Sequence, residues 1–160
     1  SVVAANSAPP TAPGLASGRL GAAQIERIET RLRAERDAGR FVILALHHPP
    51  ETGVVGSRKG LDDAAALRDA VGRAGAHLVL HGHAHFPHVG ALRTPHGEAP
   101  VIAPGSASHP DGRGRYRPAR YGLYRIDRAG AGGTLTAEFR EYDPSSGAVR
   151  AVETRSFTRV

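Results

Sequence analysis

Short apolar runs separated by polar, glycine- and proline-marked breaks divide this chain into two regimes. In the first, Val2 to Ala5 predicts a strand. Phe41-Val-Ile-Leu-Ala-Leu46 carries almost no polar content and stops at Pro49 and Pro50, which predicts a strand buried on both faces. Leu78 to Leu80 repeats that pattern in shorter form. Ile25, Ile28 and Leu32 recur at helical spacing between Ala22 and about Ala38, so a helix is predicted there with one solvated face. A second helix is predicted from Ala64 to Leu67 and Val71, with Asp62 or Asp63 as its cap and Gly75 after its last turn. Strand, helix and strand at this spacing predict a right-handed crossover between parallel neighbours. The runs at 41–46 and 78–80 should then finish at the same end of one sheet.

Beyond His85 the periodicity changes. Phe86 to Leu92, Ala99 to Ala103, Tyr121 to Asp127, Gly133 to Tyr142 and Ala148 to Phe157 predict short strands separated by turns such as Thr94-Pro-His-Gly97 and Asp143-Pro-Ser-Ser-Gly147. Leu135, Ala137 and Phe139 alternate with Thr134, Thr136, Glu138 and Arg140, the pattern of a strand with one wet face. These five are expected to form an antiparallel meander, a second sheet packed on the first. Two loops interrupt the regular structure: Ala8 to Gly18, rich in Pro, Ala, Ser and Gly, and Glu51 to Gly60, which follows the His-His-Pro-Pro run. No internal repeat is present.

The chemistry-bearing residues sit where the apolar runs end. His47 follows the first run, and His83 and His85 follow the second. Parallel strands finishing together would bring these imidazoles to the sheet edge where α/β proteins place their sites. A neutral imidazole donates a nitrogen lone pair at physiological pH, which makes histidine the commonest transition-metal ligand. An H-x-H pair in extended backbone points both rings to one side, and Gly82 is expected to provide a sharp turn beside a bound group. His47, His83 and His85 are therefore the expected metal ligands.

Leu46-His47-His48-Pro49-Pro50 followed by Leu80-His81-Gly82-His83-Ala84-His85 resembles the last two signature blocks of the calcineurin-like metallophosphoesterases, in particular the branch that includes bacterial cyclic-nucleotide phosphodiesterases. Asn6-Ser7, Gly18-Arg-Leu-Gly21 and Gln24 are similar to the segment that precedes the His-His-Pro-Pro block in that branch. Pro100-Val-Ile-Ala-Pro-Gly105-Ser-Ala-Ser resembles the strand and loop that follow the second block. The resemblance implies an α/β fold of two packed β-sheets flanked by helices, an α/β/β/α sandwich. It also implies a dinuclear centre of divalent or trivalent iron, manganese or zinc, with His47 and His83 on one ion and His85 on the other. His48 receives no ligand role. The implied reaction is in-line attack of a metal-held hydroxide on a phosphodiester or phosphomonoester, cyclic nucleotides among them.

The family's earlier blocks, an Asp-x-His, a Gly-Asp whose carboxylate bridges the ions and an Asn-His, do not occur in these residues. Residues 1–160 accordingly read as one partial domain with an incomplete N-terminal half. Closely spaced cations need anionic oxygen to offset their repulsion. At most one ion, such as zinc held by three imidazoles and a water, is expected in this segment, and the segment alone is expected to be inactive.

The absence of cysteine excludes a disulfide framework and any thiolate metal site. No apolar stretch approaches the length of a membrane span, and a cytoplasmic location is the expectation. The formal charge of +6 raises nucleic acid as a partner. However, the Arg residues are scattered without aromatic interleaving, so a small anionic phosphoester is the expected partner and specific nucleic-acid binding is not. Two alternatives to the enzyme remain: a noncatalytic metal-binding or regulatory module, and an Arg-rich nucleic-acid binder. Arg113, Arg115, Arg117 and Arg120 around Tyr116 either clamp a phosphate or form a solvated loop. His88 and His109 are either groups near the site or exposed loop histidines. Ser106 and Ser108 lack a base in nucleophile-elbow order, so a serine hydrolase is not expected.

Overall fold

The computed structural model describes residues 1–129 and 132–158 as a mixed α/β chain of two sheets and two long helices, divided into two compact units. The first unit comprises residues 1–84 and 89–102; the second comprises 85–88 and 103 onward.

In the first unit, β1 (Val2–Ala4), β2 (Ile43–Ala45) and β3 (Leu78–Leu80) are parallel neighbours, with Val2 opposite Ile43, Ile43 opposite Leu78 and Ala45 opposite Leu80. Helix α1 (Ala22–Asp37) connects β1 to β2, and α2 (Ala64–Ala74) connects β2 to β3. Helices α1 and α2 lie side by side, the arrangement expected when successive crossovers of the usual right hand advance in the same direction along a parallel sheet. Ile25, Ile28 and Leu32 are the buried stripe of α1; Leu67, Ala70, Val71 and Ala74 are that of α2. These residues close the core over Val42, Leu44, Val79 and Val101. On the exposed flank Glu29 of α1 takes two hydrogen bonds from Arg73 of α2, at 3.1 and 2.6 Å.

The run from Phe41 to Leu46 forms a ladder over only its central three residues, yet its hydrogen bonding continues at both ends. Val42 N–H donates to His77 Nδ1 at 2.8 Å, and Leu46 N–H donates to Leu80 O at 3.0 Å. Val42, Leu44 and Leu46 are buried while Ile43 and Ala45 are half-buried, so the expected burial on both faces is complete on one face only. Asp63 occupies the N-cap position of α2, but its carboxylate does not cap that helix. It accepts instead from the backbone N–H groups of Leu20, at 3.1 Å to each oxygen, and Gly21, at 2.7 Å, and so ties the approach to α1 onto the start of α2.

The expected five-stranded meander is not what forms. β4 (His88–Thr94) and β5 (Gly97–Ala103) complete the first sheet, whose order is β1-β2-β3-β5-β4, and β5 runs parallel to β3 with Val79 opposite Val101. The reason lies in β5: from Ala99 to Ala103 every residue is buried, so this strand has the composition of a sheet interior and not of a half-wet meander. The turn joining β4 to β5 is the predicted one, with Thr94 Oγ1 donating to Gly97 O at 2.9 Å.

The second unit contains the remaining three strands, β6 (Arg120–Ala129), β7 (Gly132–Asp143) and β8 (Ala148–Thr158), antiparallel in the order β6-β7-β8. Leu135, Ala137 and Phe139 on β7 are buried as their alternation predicts. The β7–β8 turn is held by Asp143, which accepts from Ser145 N–H at 3.0 Å, Ser145 Oγ at 2.7 Å and Ser146 Oγ at 2.8 Å. Arg120 is buried at the start of β6. Its guanidinium donates to Glu153 at 2.7 Å and lies 4.7 Å from the Phe139 ring centroid.

Candidate metal centre

The site begins with two parallel strands ending together. Past Ala45 and Leu80, the chains leaving β2 and β3 remain bonded to each other: Leu46 N–H donates to Leu80 O and, one step further, Gly82 N–H donates to His47 O, both at 3.0 Å. That double tie brings His47 to His83. Nε2 of His47 and Nδ1 of His83 are 3.0 Å apart, with ring centroids 4.9 Å apart and planes at 71°. His47 is exposed and His83 half-buried. Without an ion, one of these nitrogens carries a proton and donates it to the other.

His48 completes a group of three whose nearest ring nitrogens all lie within 4.8 Å of one another. Its ring stands edge-on to His47 at 5.0 Å and tilted against His83 at 4.3 Å. It is buried, however, and both its nitrogens are engaged: Nδ1 with Ser7 Oγ at 2.9 Å, and Nε2 with Ala16 O at 3.1 Å. Burial pushes its pKa below the ordinary imidazole value, an effect partly opposed by the Ala16 carbonyl. Pro49 and Pro50, which follow it in the chain, are buried, and Arg68 of α2 fixes the end of the block by donating to Pro50 O at 2.8 Å.

The backbone of the second block differs from the extended H-x-H expected. His83 and His85 adopt positive φ, 63° and 59°. Such a conformation costs a non-glycine residue on the order of 1–2 kcal/mol. Gly82, by contrast, has no positive φ, and a Cβ added there would meet His47 Nδ1 at an ordinary 3.7 Å. The turn is thus carried by the histidines themselves, and the period-two argument for their rings does not apply. His85 opens the second unit, where its side chain is exposed.

An ion fits the pair geometrically. Two nitrogens at about 2.1 Å from a metal are separated by about 3.0 Å at the right angle of an octahedral shell and by about 3.4 Å at the tetrahedral angle of zinc. The observed His47–His83 spacing of 3.0 Å matches the first and is about 0.4 Å short of the second, so the pair suits an octahedral ion as it stands and a tetrahedral one after a small ring movement. The pair fills part of a coordination shell, and the three-histidine group includes no carboxylate.

Other candidates separate from this site. His77 accepts the Val42 N–H and stacks on Phe41 at 4.7 Å, a structural role. In the second unit, the Arg113–Arg120 loop is ordered by internal pairing. Arg115 lies 4.3 Å over the Phe86 ring, Arg117 donates to Glu141 at 3.2 Å, and Arg120 is engaged as described above, which leaves no convergent phosphate clamp among these three. His109 is half-buried with its ring parallel to that of Tyr116. Ser106 and Ser108 contact each other at 3.4 Å. A cavity of about 630 Å³ lies between α1 and the edge strand β1, lined by Val3, Ala4, Gln24 and Ile28 among others. None of its lining residues is a histidine, and the three-histidine group lies at the ends of β2 and β3 instead.

Sequence reasoning overlooked Ser7 and Ala16, the partners of His48. The only signal for them was the Asn6-Ser7 pair immediately after a predicted strand. No helix of the described residues is long and apolar enough to cross a membrane. No family model matches the chain. Over 77 residues it is 38% identical to a protein of Synechococcus sp. (strain WH7803) named as a probable cyclic nucleotide phosphodiesterase, a match covering 45% of this chain. The chain spans 28% of that protein's length, and over the shared segment the two are related.

Proposed function

We propose that this chain carries part of the metal centre of a calcineurin-like metallophosphoesterase that hydrolyses phosphodiesters, cyclic nucleotides among them, or phosphomonoesters. The observation that supports this reading most directly is the 3.0 Å approach of His47 Nε2 to His83 Nδ1 at the ends of adjacent parallel strands. The similarity to a protein named as a probable cyclic nucleotide phosphodiesterase supports the substrate class.

In this reading His47 and His83 hold one ion through neutral ring nitrogens. When bound, such ions lower the pKa of a coordinated water and neutralise the phosphoryl oxygens. The chain's own contribution is orientation. The ties from Leu46 to Leu80 and from Gly82 to His47 fix the spacing of the two imidazoles. Arg58 and Lys59, exposed on the loop after the His-His-Pro-Pro block, add positive charge that favours an anionic ester. Elsewhere many arginines are spent in ion pairs such as Arg33–Glu29, Arg40–Glu35 and Arg73–Glu29, which argues against a continuous nucleic-acid-binding face.

A noncatalytic metal-binding module is the second reading, favoured by the lack of a carboxylate in the three-histidine group. The test is hydrolysis of cyclic AMP and of bis(p-nitrophenyl) phosphate by the parent protein, after chelation and after return of manganese or zinc. Metal-restored turnover that His83→Ala abolishes is expected. Metal binding without turnover of either ester would favour the module, and turnover indifferent to chelation would overturn both readings.

A further inference from the structure

The hydrogen bonds around His48 define its role more narrowly than its place among three neighbouring histidines suggests. A carbonyl oxygen can only accept, so the 3.1 Å contact between His48 Nε2 and Ala16 O requires the proton on Nε2. Nδ1 is then the lone-pair nitrogen, and Ser7 Oγ donates to it at 2.9 Å. Ser7 Oγ in turn accepts the His48 backbone N–H at 3.1 Å. Both residues are buried, so each satisfies the other's polar groups and the ring is fixed in one tautomer and one orientation.

The backbone closes on this arrangement. A Cβ on Gly18 would fall 2.4 Å from His48 Cγ and Nδ1 and 2.7 Å from Ser7 O, so the end of the loop over residues 8–18 lies directly against the ring. That loop end is itself secured from the other side: Gly18 N–H donates to Gly60 O at 2.8 Å, and Asp62 N–H donates to Gly18 O at 2.9 Å. The ring so fixed lies against both His47 and His83, with centroids 5.0 and 4.3 Å away.

Resting on the metal reading above, we propose that His48 is a positioning residue and not a ligand, and that Ser7 is the group that holds it. Ser7, Ala16 O and Gly18 lock the ring as the wall against which His47 and His83 are set. The three-histidine group therefore offers an ion two imidazoles, and any further ligands come from outside it. The hydroxyl of Ser7, bonded to both Nδ1 and the backbone N–H of His48, fixes the ring angle, one step removed from the imidazoles that face the ion.

The test is long-range proton–nitrogen NMR of the histidine rings in 15N-labelled protein, without metal and with added zinc. In the metal-free protein His48 is expected as the pure Nε2–H tautomer. Zinc is expected to shift the lone-pair nitrogens of His47 and His83 and to leave those of His48 in place. An Nδ1–H or mixed tautomer at His48, or a His48 nitrogen that moves onto zinc, would overturn the proposal. Zinc that moves none of the three rings would overturn the metal reading and the positioning role with it. Because the metal-free tautomer reports on the lock alone, the two failures are distinguishable. Ser7→Ala should leave the Nε2–H tautomer, which the Ala16 carbonyl sets, but shift the His48 Nδ1 resonance as its donor is lost and weaken zinc binding by up to about tenfold, the low end of the loss for partners outside the ligand shell. Ser7→Thr, which keeps the hydroxyl, should restore both. A Ser7→Ala protein with unchanged His48 Nδ1 resonance and unchanged affinity would contradict the role assigned to Ser7, and the wild-type spectra decide the matter even if a variant fails to fold.

Discussion

His47 and His83, 36 residues apart in sequence, meet nitrogen to nitrogen at 3.0 Å because β2 and β3 are parallel and end in register. The distance has two chemical solutions: a proton shared along a hydrogen bond, or a cation facing both lone pairs. Either way, the peptide ties from Leu46 to Leu80 and from Gly82 to His47 set it.

The strain at His83 can be separated from its chemistry. At φ 63° a glycine is more comfortable than histidine, so His83→Gly should raise the stability of the metal-free protein, or leave it unchanged, by up to about 1 kcal/mol. The same substitution should remove metal binding. Gly82→Ala, at an ordinary backbone conformation with 3.7 Å of room, should change stability by less than about 1 kcal/mol and leave metal binding intact. Chemical denaturation of both variants checks this, and a large loss of stability in the metal-free His83→Gly protein would contradict it.

Gly18 should be intolerant for a steric reason. A methyl group there meets the His48 ring at 2.4 Å and the Ser7 carbonyl oxygen at 2.7 Å, and backbone is the less able of the two to yield. Gly18→Ala should cost about 1–3 kcal/mol through overpacking. Gly56→Ala, where a Cβ meets nothing within 4 Å, is the control. Equal denaturation midpoints for the two variants would refute the close approach.

Acid stability should depend on the β7–β8 turn. Hydrogen bonds from Ser145 and Ser146, aided by Arg150, lower the pKa of Asp143 from 3.8 to about 2. A carboxylate with a depressed folded-state pKa adds stability that is fully present above about pH 4 and is lost as pH falls through about 2. Urea midpoints measured from pH 5 down to pH 2 should therefore fall less steeply in Asp143→Asn than in the wild type. Parallel curves would show that the turn contributes nothing to the acid transition.

Much of this was legible in the sequence, for physical reasons that also mark where legibility ends. The apolar runs at 41–46 and 78–80, with a helical stretch between, sufficed to place β2 beside β3, because local period and crossover handedness leave few options. The allegiance of β4 and β5 was not legible. An apolar run identifies a strand but not its neighbour, and β5, buried without alternation from Ala99 to Ala103, lies beside β3 with only its partner β4 on the other side. At the site, the convergence of His47 with His83 followed from the strand ends, whereas the positive φ of His83 and His85 had no local signature. Nor did the bond between Ser7 and His48, 41 residues apart. Asp63 shows the same limit in reverse: a good cap residue in cap position, drawn away by the backbone of Leu20 and Gly21.

The central claim is that the imidazoles of His47 and His83 face one cation. Zinc titration by calorimetry, comparing the wild type with His47→Ala, His83→Ala and the structural control His77→Asn, tests it most directly. Saturable binding that is lost in the first two variants and kept in the third is the expected result. Affinity unchanged by removal of either His47 or His83, or no saturable binding by the wild type, would contradict the account.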